Sequence, residues 1–218
     1  MHGTRLPALL LIGLLPLEGA LADEPAVSGR VVDTDGKGVA QAIVFVQSPA
    51  EPAAAQPGRV PRATMDQISK TFVPAVLPIV VGTEVRFPNH DQIQHHVYSF
   101  SRPKTFELPL YKGQDAMPVR FDKPGVVRIG CNIHDWMSAV ILVMPSHHYA
   151  VTDNDGNFTL RLPRGTYTLA AWQNLSRDKL EDTLHTLQVE SGTAAVTFTL
   201  TLGPPRVRPP VHGLRGDP

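Results

Sequence analysis

An all-β chain is the fold class the sequence predicts, and three observations carry that expectation. The 218 residues include 21 Pro and 17 Gly, which break long helices and supply turns. Short runs such as Phe106, Leu108 and Leu110 alternate apolar and polar residues with the period of a half-buried strand. No stretch sustains apolar residues at helical spacing. At this length the chain fits one large β domain or two small ones. Lys plus Arg equal Asp plus Glu at 20 each, so no basic field for nucleic acid or an anionic membrane is evident.

The first 22 residues read as a signal peptide. His2 and Arg5 form a weak basic start, and residues 6–17 an apolar run broken by Pro7, Gly13 and Pro16. Ala20-Leu21-Ala22 is a small-x-small cleavage site before Asp23. The apolar run is shorter than the roughly 20 residues a membrane span needs. An exported, periplasmic protein cleaved after Ala22 is the expectation.

Beyond it, residues 26–47 read as a hairpin around a turn at Asp33-Thr34-Asp35-Gly36-Lys37-Gly38. Residues 48–71 are a Pro/Ala-rich linker and lead-in strand. Residues 72–87 carry strands punctuated by Pro74, Pro78 and a Gly82-Thr83 turn, and 97–100 and 104–111 continue the pattern. After the turn at Pro124-Gly125, a strand over 126–131 puts Val127, Ile129 and Cys131 on one face. The apolar run 139–144 reads as a buried strand. Residues 149–160 centre on the turn Asp153-Asn154-Asp155-Gly156-Asn157, a second turn at Pro163-Arg164-Gly165 leads into 166–170, and 193–202 is a last alternating strand. Residues 175–184 read as a loop with a helical turn. The Pro- and Arg-rich residues 203–218 have nothing to bury and are expected to be a disordered tail.

Chemistry concentrates in Gly130-Cys131-Asn132-Ile133-His134-Asp135-Trp136-Met137, which holds the single cysteine. In an oxidising compartment a lone cysteine is buried and inert, intermolecular, or committed to chemistry. Here a thiolate, an imidazole and a thioether recur every three residues. Soft sulfur donors select copper, and two His, one Cys and a weak axial Met make a blue-copper electron-transfer site. The second imidazole would come from Asn89-His90-Asp91-Gln92-Ile93-Gln94-His95-His96-Val97. His90 reads as a surface turn residue, while His95 and His96 point to opposite faces of a strand. Read singly, Met137 and Trp136 are ordinary core residues and Cys131 a small buried hydrophobe.

Phe72-Val73-Pro74, Val81-Gly82-Thr83-Glu84-Val85, the Asn89 to His95 spacing and the Cys131-x-x-His134-x-x-Met137 loop together resemble the cupredoxins, with a short loop of the amicyanin kind. That resemblance covers residues 72–145 and implies a Greek-key sandwich with one type 1 copper held by His95, Cys131, His134 and Met137. It departs from the family at His96, where cupredoxins commonly carry an Asn that ties the two ligand loops together. The wider chain, through Phe87-Pro88-Asn89 and residues 95–101, is similar to exported bacterial proteins labelled methylamine utilization protein. Residues 23–47 and 146–202 resemble a carboxypeptidase regulatory-like β-sandwich, on Ser28-Gly29-Arg30-Val31-Val32-Asp33 and on Asp153-x-Asp155-Gly156-Asn157-Phe158. The cupredoxin would then be inserted into, or joined to, a second sandwich.

These resemblances imply a carrier of single electrons, not an enzyme, whose partner is a periplasmic c-type cytochrome or quinoprotein dehydrogenase. Copper delivery is the alternative, and a structural or recognition sandwich with a secondary metal site is a third. Three other features have plainer readings. The Asp153 turn lacks the closing Glu of a calcium loop. His147 and His148 are adjacent histidines in a connector. A Cys131–His134 hydrolase dyad has no marked orienting group or oxyanion site.

Overall fold

The computed structural model describes residues 25–49, 60–113, 116–190 and 193–204. The expected signal peptide, part of the Pro/Ala-rich linker and most of the tail lie outside the described residues. Within them the chain is all-β, with one 3-10 turn at Leu180–Thr183. In order come β1 (Ala26–Asp33), β2 (Ile43–Ser48), β3 (Arg62–Thr64), β4 (Asp66–Gln67), β5 (Phe72–Val73) and β6 (Val76–Val80). Next are β7 (Thr83–Arg86), β8 (His95–Ser101), β9 (Lys104–Tyr111), β10 (Val119–Phe121), β11 (Gly125–Gly130) and β12 (Ser138–Met144). The chain closes with β13 (Tyr149–Val151), β14 (Asn157–Arg161), β15 (Gly165–Trp172), β16 (His185–Val189) and β17 (Thr193–Leu200).

The middle of the chain forms one set of sheets. A five-stranded sheet in the order β6-β12-β11-β8-β9 faces β10-β7-β3 and the small β4-β5 pair. Between them lie Met65, Phe72, Phe87, Val97, Phe121, Val127, Ile129 and Ile141, with Cys131 and Met137 at one end. Pro78 sits in β6, an edge strand, where a missing amide donor is tolerated. Residues 62–64, within the expected lead-in, pair in parallel with β7, and Met65 beside them is fully buried.

The two ends of the chain build a second pair of sheets, β14-β1-β17 and β13-β2-β15-β16, around Val27, Val31, Val44, Val46, Phe158, Leu160, Leu169 and Phe198. Here the sequence expectation needs correcting. Residues 26–47 are not a hairpin, because β1 and β2 belong to different sheets. The Asp33 turn does form, its Oδ1 accepting the amides of Asp35 and Lys37. Beyond it the chain pairs back only briefly, through an antiparallel bridge of Val32 with Gly38 and the Val39 amide donating to the Val31 carbonyl, and then crosses to the other sheet. The buried Thr152 hydroxyl fixes that crossing, accepting from the Ala42 amide and donating to the Val39 carbonyl. The apolar faces of β1 and β2 meet across a core, and each strand finds its hydrogen bonds elsewhere. Asp153 repeats the Asp33 device by accepting the amides of Asp155 and Asn157. It is a turn and, among the described residues, gathers no metal-ligand set.

The two sandwiches touch. On β12, Ala139, Ile141 and Val143 face the middle core, while Val140, Leu142 and Met144 face Ile43 and Phe45 of β2 and Ala170 and Trp172 of β15. Both faces of β12 and β2 are therefore buried, which is why their sequences run almost continuously apolar rather than alternating.

Candidate metal centre

Strand β8 begins at His95 and pairs it with Tyr111 of β9. The register shifts between His95 and Val97, a bulge that re-aims side chains at a strand end. His95 thereby turns inward with no exposed surface, and Val97 follows it into the core. His96 points away, its Nε2 lying 2.7 Å from Glu107 Oε1.

Strand β11 delivers Cys131 at its end, and the chain returns into β12 through a six-residue step. The Cys131 amide donates to the Met137 carbonyl and the Met137 amide to the His134 carbonyl. This closes the loop so that Cys131, His134 and Met137 are buried while Asn132, Ile133, Asp135 and Trp136 stand outside. Trp136 is 41% exposed and so is not the core residue of the plainer sequence reading. Met137 is 1% exposed and packs in the same core as Cys131.

The sulfur of Cys131 lies 4.0 Å from His95 Nδ1 and 4.0 Å from His134 Nδ1. The three donor atoms all fall within 4.8 Å of one another, and all three residues are buried. The imidazoles of His95 and His134 meet edge to face with centroids 5.1 Å apart. Bonds of about 2 Å to each donor would leave two donors on one ion about 4 Å apart or less, so the two sulfur–nitrogen spacings fit a shared first-row metal. Burial is the largest cause that pushes the His134 imidazole below its usual pKa, and this favours its neutral, lone-pair-bearing form.

Behind the donors lies a hydrogen-bonded frame that the sequence reading missed in part. Asn89 is buried, donates to the Ile93 and Tyr111 carbonyls and accepts the Asp91 amide. Asp91 Oδ2 sits 2.7 Å from His95 Nε2. Burial pushes the Asp91 carboxyl up, but hydrogen bonds from His95 and from the Lys70 and Ser69 amides outweigh it and hold the carboxyl below its ordinary range. An acidic residue four positions before a ligand-type His was the signal available for Asp91. Burial also pushes the Tyr111 phenol up, to about 12, against a Gln67 hydrogen bond that works the other way.

Other sequence candidates lie elsewhere. His90 Nδ1 pairs with Asp66 Oδ1 at 2.7 Å on the surface. His147 and His148 stack on each other with centroids 4.2 Å apart. Among the described residues, neither joins a metal-type group of three.

No family model matches the chain, nor does any curated protein. Several solved structures do. A purple cupredoxin from Nitrosopumilus maritimus is 24% identical, with a TM-score of 0.33 over 38% of this chain and 98% of its own. A reduced tryptophan-to-tyrosine mutant of amicyanin is 19% identical, with a TM-score of 0.36 over 46% of this chain and 97% of its own. A copper-containing nitrite reductase from Thermus scotoductus SA-01 is 28% identical, with a TM-score of 0.36 over 45% of this chain and 26% of its own. Each likeness covers less than half of this chain, so the functional reading rests on the geometry of the site.

Proposed function

We propose that this chain is a type 1 copper protein that carries single electrons, with the ion held by His95, Cys131, His134 and Met137. One observation carries the reading: a lone thiol and two imidazole Nδ1 atoms converge in a buried pocket, with each nitrogen 4.0 Å from the sulfur. Copper bound there would supply a one-electron couple that soft sulfur and imidazole donors accommodate in both oxidation states.

The protein's own residues do the rest. Cys131 donates as thiolate, the two histidines donate through Nδ1, and the buried thioether of Met137 is the weak fourth donor. Four protein donors leave no open position for water or substrate, which suits a carrier and not an enzyme. The exposed side chains of Ile133 and Trp136 flank His134 on the loop and form an apolar rim where a partner's cofactor can approach. The partner we propose is a periplasmic c-type cytochrome or quinoprotein dehydrogenase. With no net charge to steer it, the encounter would be weak and transient.

Export fits this role, and the cleavage site after Ala22 supports a periplasmic address; among the described residues no helix is long and apolar enough to cross a membrane. We read residues 72–145 as the copper domain and residues 23–47 with 146–202 as its carboxypeptidase regulatory-like companion. The likeness to proteins labelled methylamine utilization is an association only.

The test is the spectrum of the copper-loaded protein. An intense thiolate-to-copper band with narrow hyperfine splitting is expected, and Cys131→Ser should abolish it. A colourless cupric protein sinks the copper reading. Copper that will not cycle electrochemically, or that passes readily to an apo-acceptor, replaces the carrier with a delivery protein.

A further inference from the structure

We propose that Asp91 is a positioning residue for this centre: its carboxylate holds the Nε2–H of His95, leaves Nδ1 as the lone-pair donor, and biases the site toward Cu(II) over Cu(I). This rests on the copper reading above and goes beyond its ligand set.

Three hydrogen bonds converge on Asp91. His95 Nε2 lies 2.7 Å from Oδ2, the Lys70 amide donates to Oδ2 at 2.7 Å, and the Ser69 amide donates to Oδ1 at 2.6 Å. Ser69 and Lys70 both have left-handed backbones, with φ of 53° and 56°. Neither is glycine, and that conformation costs a β-carbon-bearing residue about 1–2 kcal/mol. Two successive left-handed residues point their amides the same way, into a concavity suited to an anion. The anion is Asp91. The strained turn between β4 and β5 thus grips a carboxylate whose other task is His95. Asn89 completes the grip by accepting the Asp91 amide through Oδ1.

The consequence for a metal follows from charge. A carboxylate on the far nitrogen fixes the tautomer and makes the imidazole a stronger donor. A fixed negative charge one imidazole away favours the more highly charged ion. His95 has no exposed surface and Asp91 is largely buried, so solvent screens the interaction weakly. Among the described residues His134 has no carboxylate hydrogen-bond partner, so the bias enters the centre from the β8 side.

The experiment has two parts on the full-length protein. In the metal-free wild type, long-range proton–nitrogen NMR should show His95 protonated at Nε2; protonation at Nδ1 overturns the proposal. Copper titrations against competing chelators then compare wild type with Asp91→Asn. Cu(II) affinity should fall about 10–100-fold, and Cu(I) affinity about tenfold less, which equals a rise of about 59 mV in potential. Equal losses in both states mean general loosening and overturn the proposal, with thermal unfolding of the apo-protein as the check on folding. Asp91→Glu, which keeps the charge, should recover part of the difference and stands in if Asp91→Asn does not fold. A wild type that binds no copper would sink the copper reading itself, whereas an unchanged Cu(II)/Cu(I) ratio in a copper-binding Asp91→Asn sinks this role alone.

Discussion

The Cys131 sulfur and His95 Nδ1 lie 4.0 Å apart although 36 positions separate them in the chain. The antiparallel pairing of β8 and β11, with Gly130 opposite Tyr98, brings the two strand ends together. A β-carbon on Gly130 would meet the Tyr98 ring at 3.1 Å, so the ring packs closely over the backbone that carries Cys131.

The bulge at His95 decides which histidine enters the site. His95→Ala should abolish the thiolate-to-copper band, while His96→Ala should shift it only modestly, since His96 faces Glu107. Absorbance of the two copper-loaded variants decides, and the opposite pattern would mean a register slipped by one residue.

Tyr111 donates to the Phe87 carbonyl and accepts from Gln67 Nε2 within the core beneath the site. Tyr111→Phe leaves those buried partners short and should cost about 1–3 kcal/mol in denaturant unfolding. The raised phenol pKa sets the sign with pH. Its contribution is fully present below the ordinary tyrosine value of 10.0 and is lost as pH climbs toward about 12. An alkaline decline of the same size in Tyr111→Phe would show that another group causes it.

Leu142 tests whether the two sandwiches support each other. It is fully buried and packs against the β2 and β15 side chains, not into the middle core. Leu142→Ala should destabilise the protein by about 2–5 kcal/mol. A loss under about 1 kcal/mol in equilibrium unfolding would show that the contact between sandwiches contributes little.

Asp178 gives an acid-side signature. Burial pushes its carboxyl up, but hydrogen bonds from the Thr201 amide and the Ser176 hydroxyl outweigh that and hold it below the ordinary 3.8. A depressed pKa contributes stability that is present above the ordinary value and lost as pH falls through the folded one. Asp178→Asn should therefore lose stability near neutrality and show a shallower acid decline. Unfolding curves from about pH 5 to pH 2 measure it, and identical slopes in the two proteins would refute it.

Local pattern determined the strands and the chemistry. Period-two alternation marked β9 and β11, Pro and Gly marked the turns, and the three-residue recurrence of Cys131, His134 and Met137 is legible because one short loop carries it. The Asp33 and Asp153 turns were legible for the same reason, since each closes on its own neighbours. Sheet membership was not. Residues 26–47 look like a hairpin because a turn joins two strands, yet partners for β1 come from β14 and β17, more than 100 residues away. No local signal encodes that choice, because backbone hydrogen bonds are alike for every partner and only burial of both apolar faces selects among them. Tertiary structure also decided between His95 and His96, through a bulge set by the pairing of β8 with β9. It alone revealed Asp91, whose work depends on amides of a turn 21 and 22 positions earlier in the chain. A side chain's neighbours in sequence follow from covalent geometry; its neighbours in space follow from which faces the whole chain must hide from water.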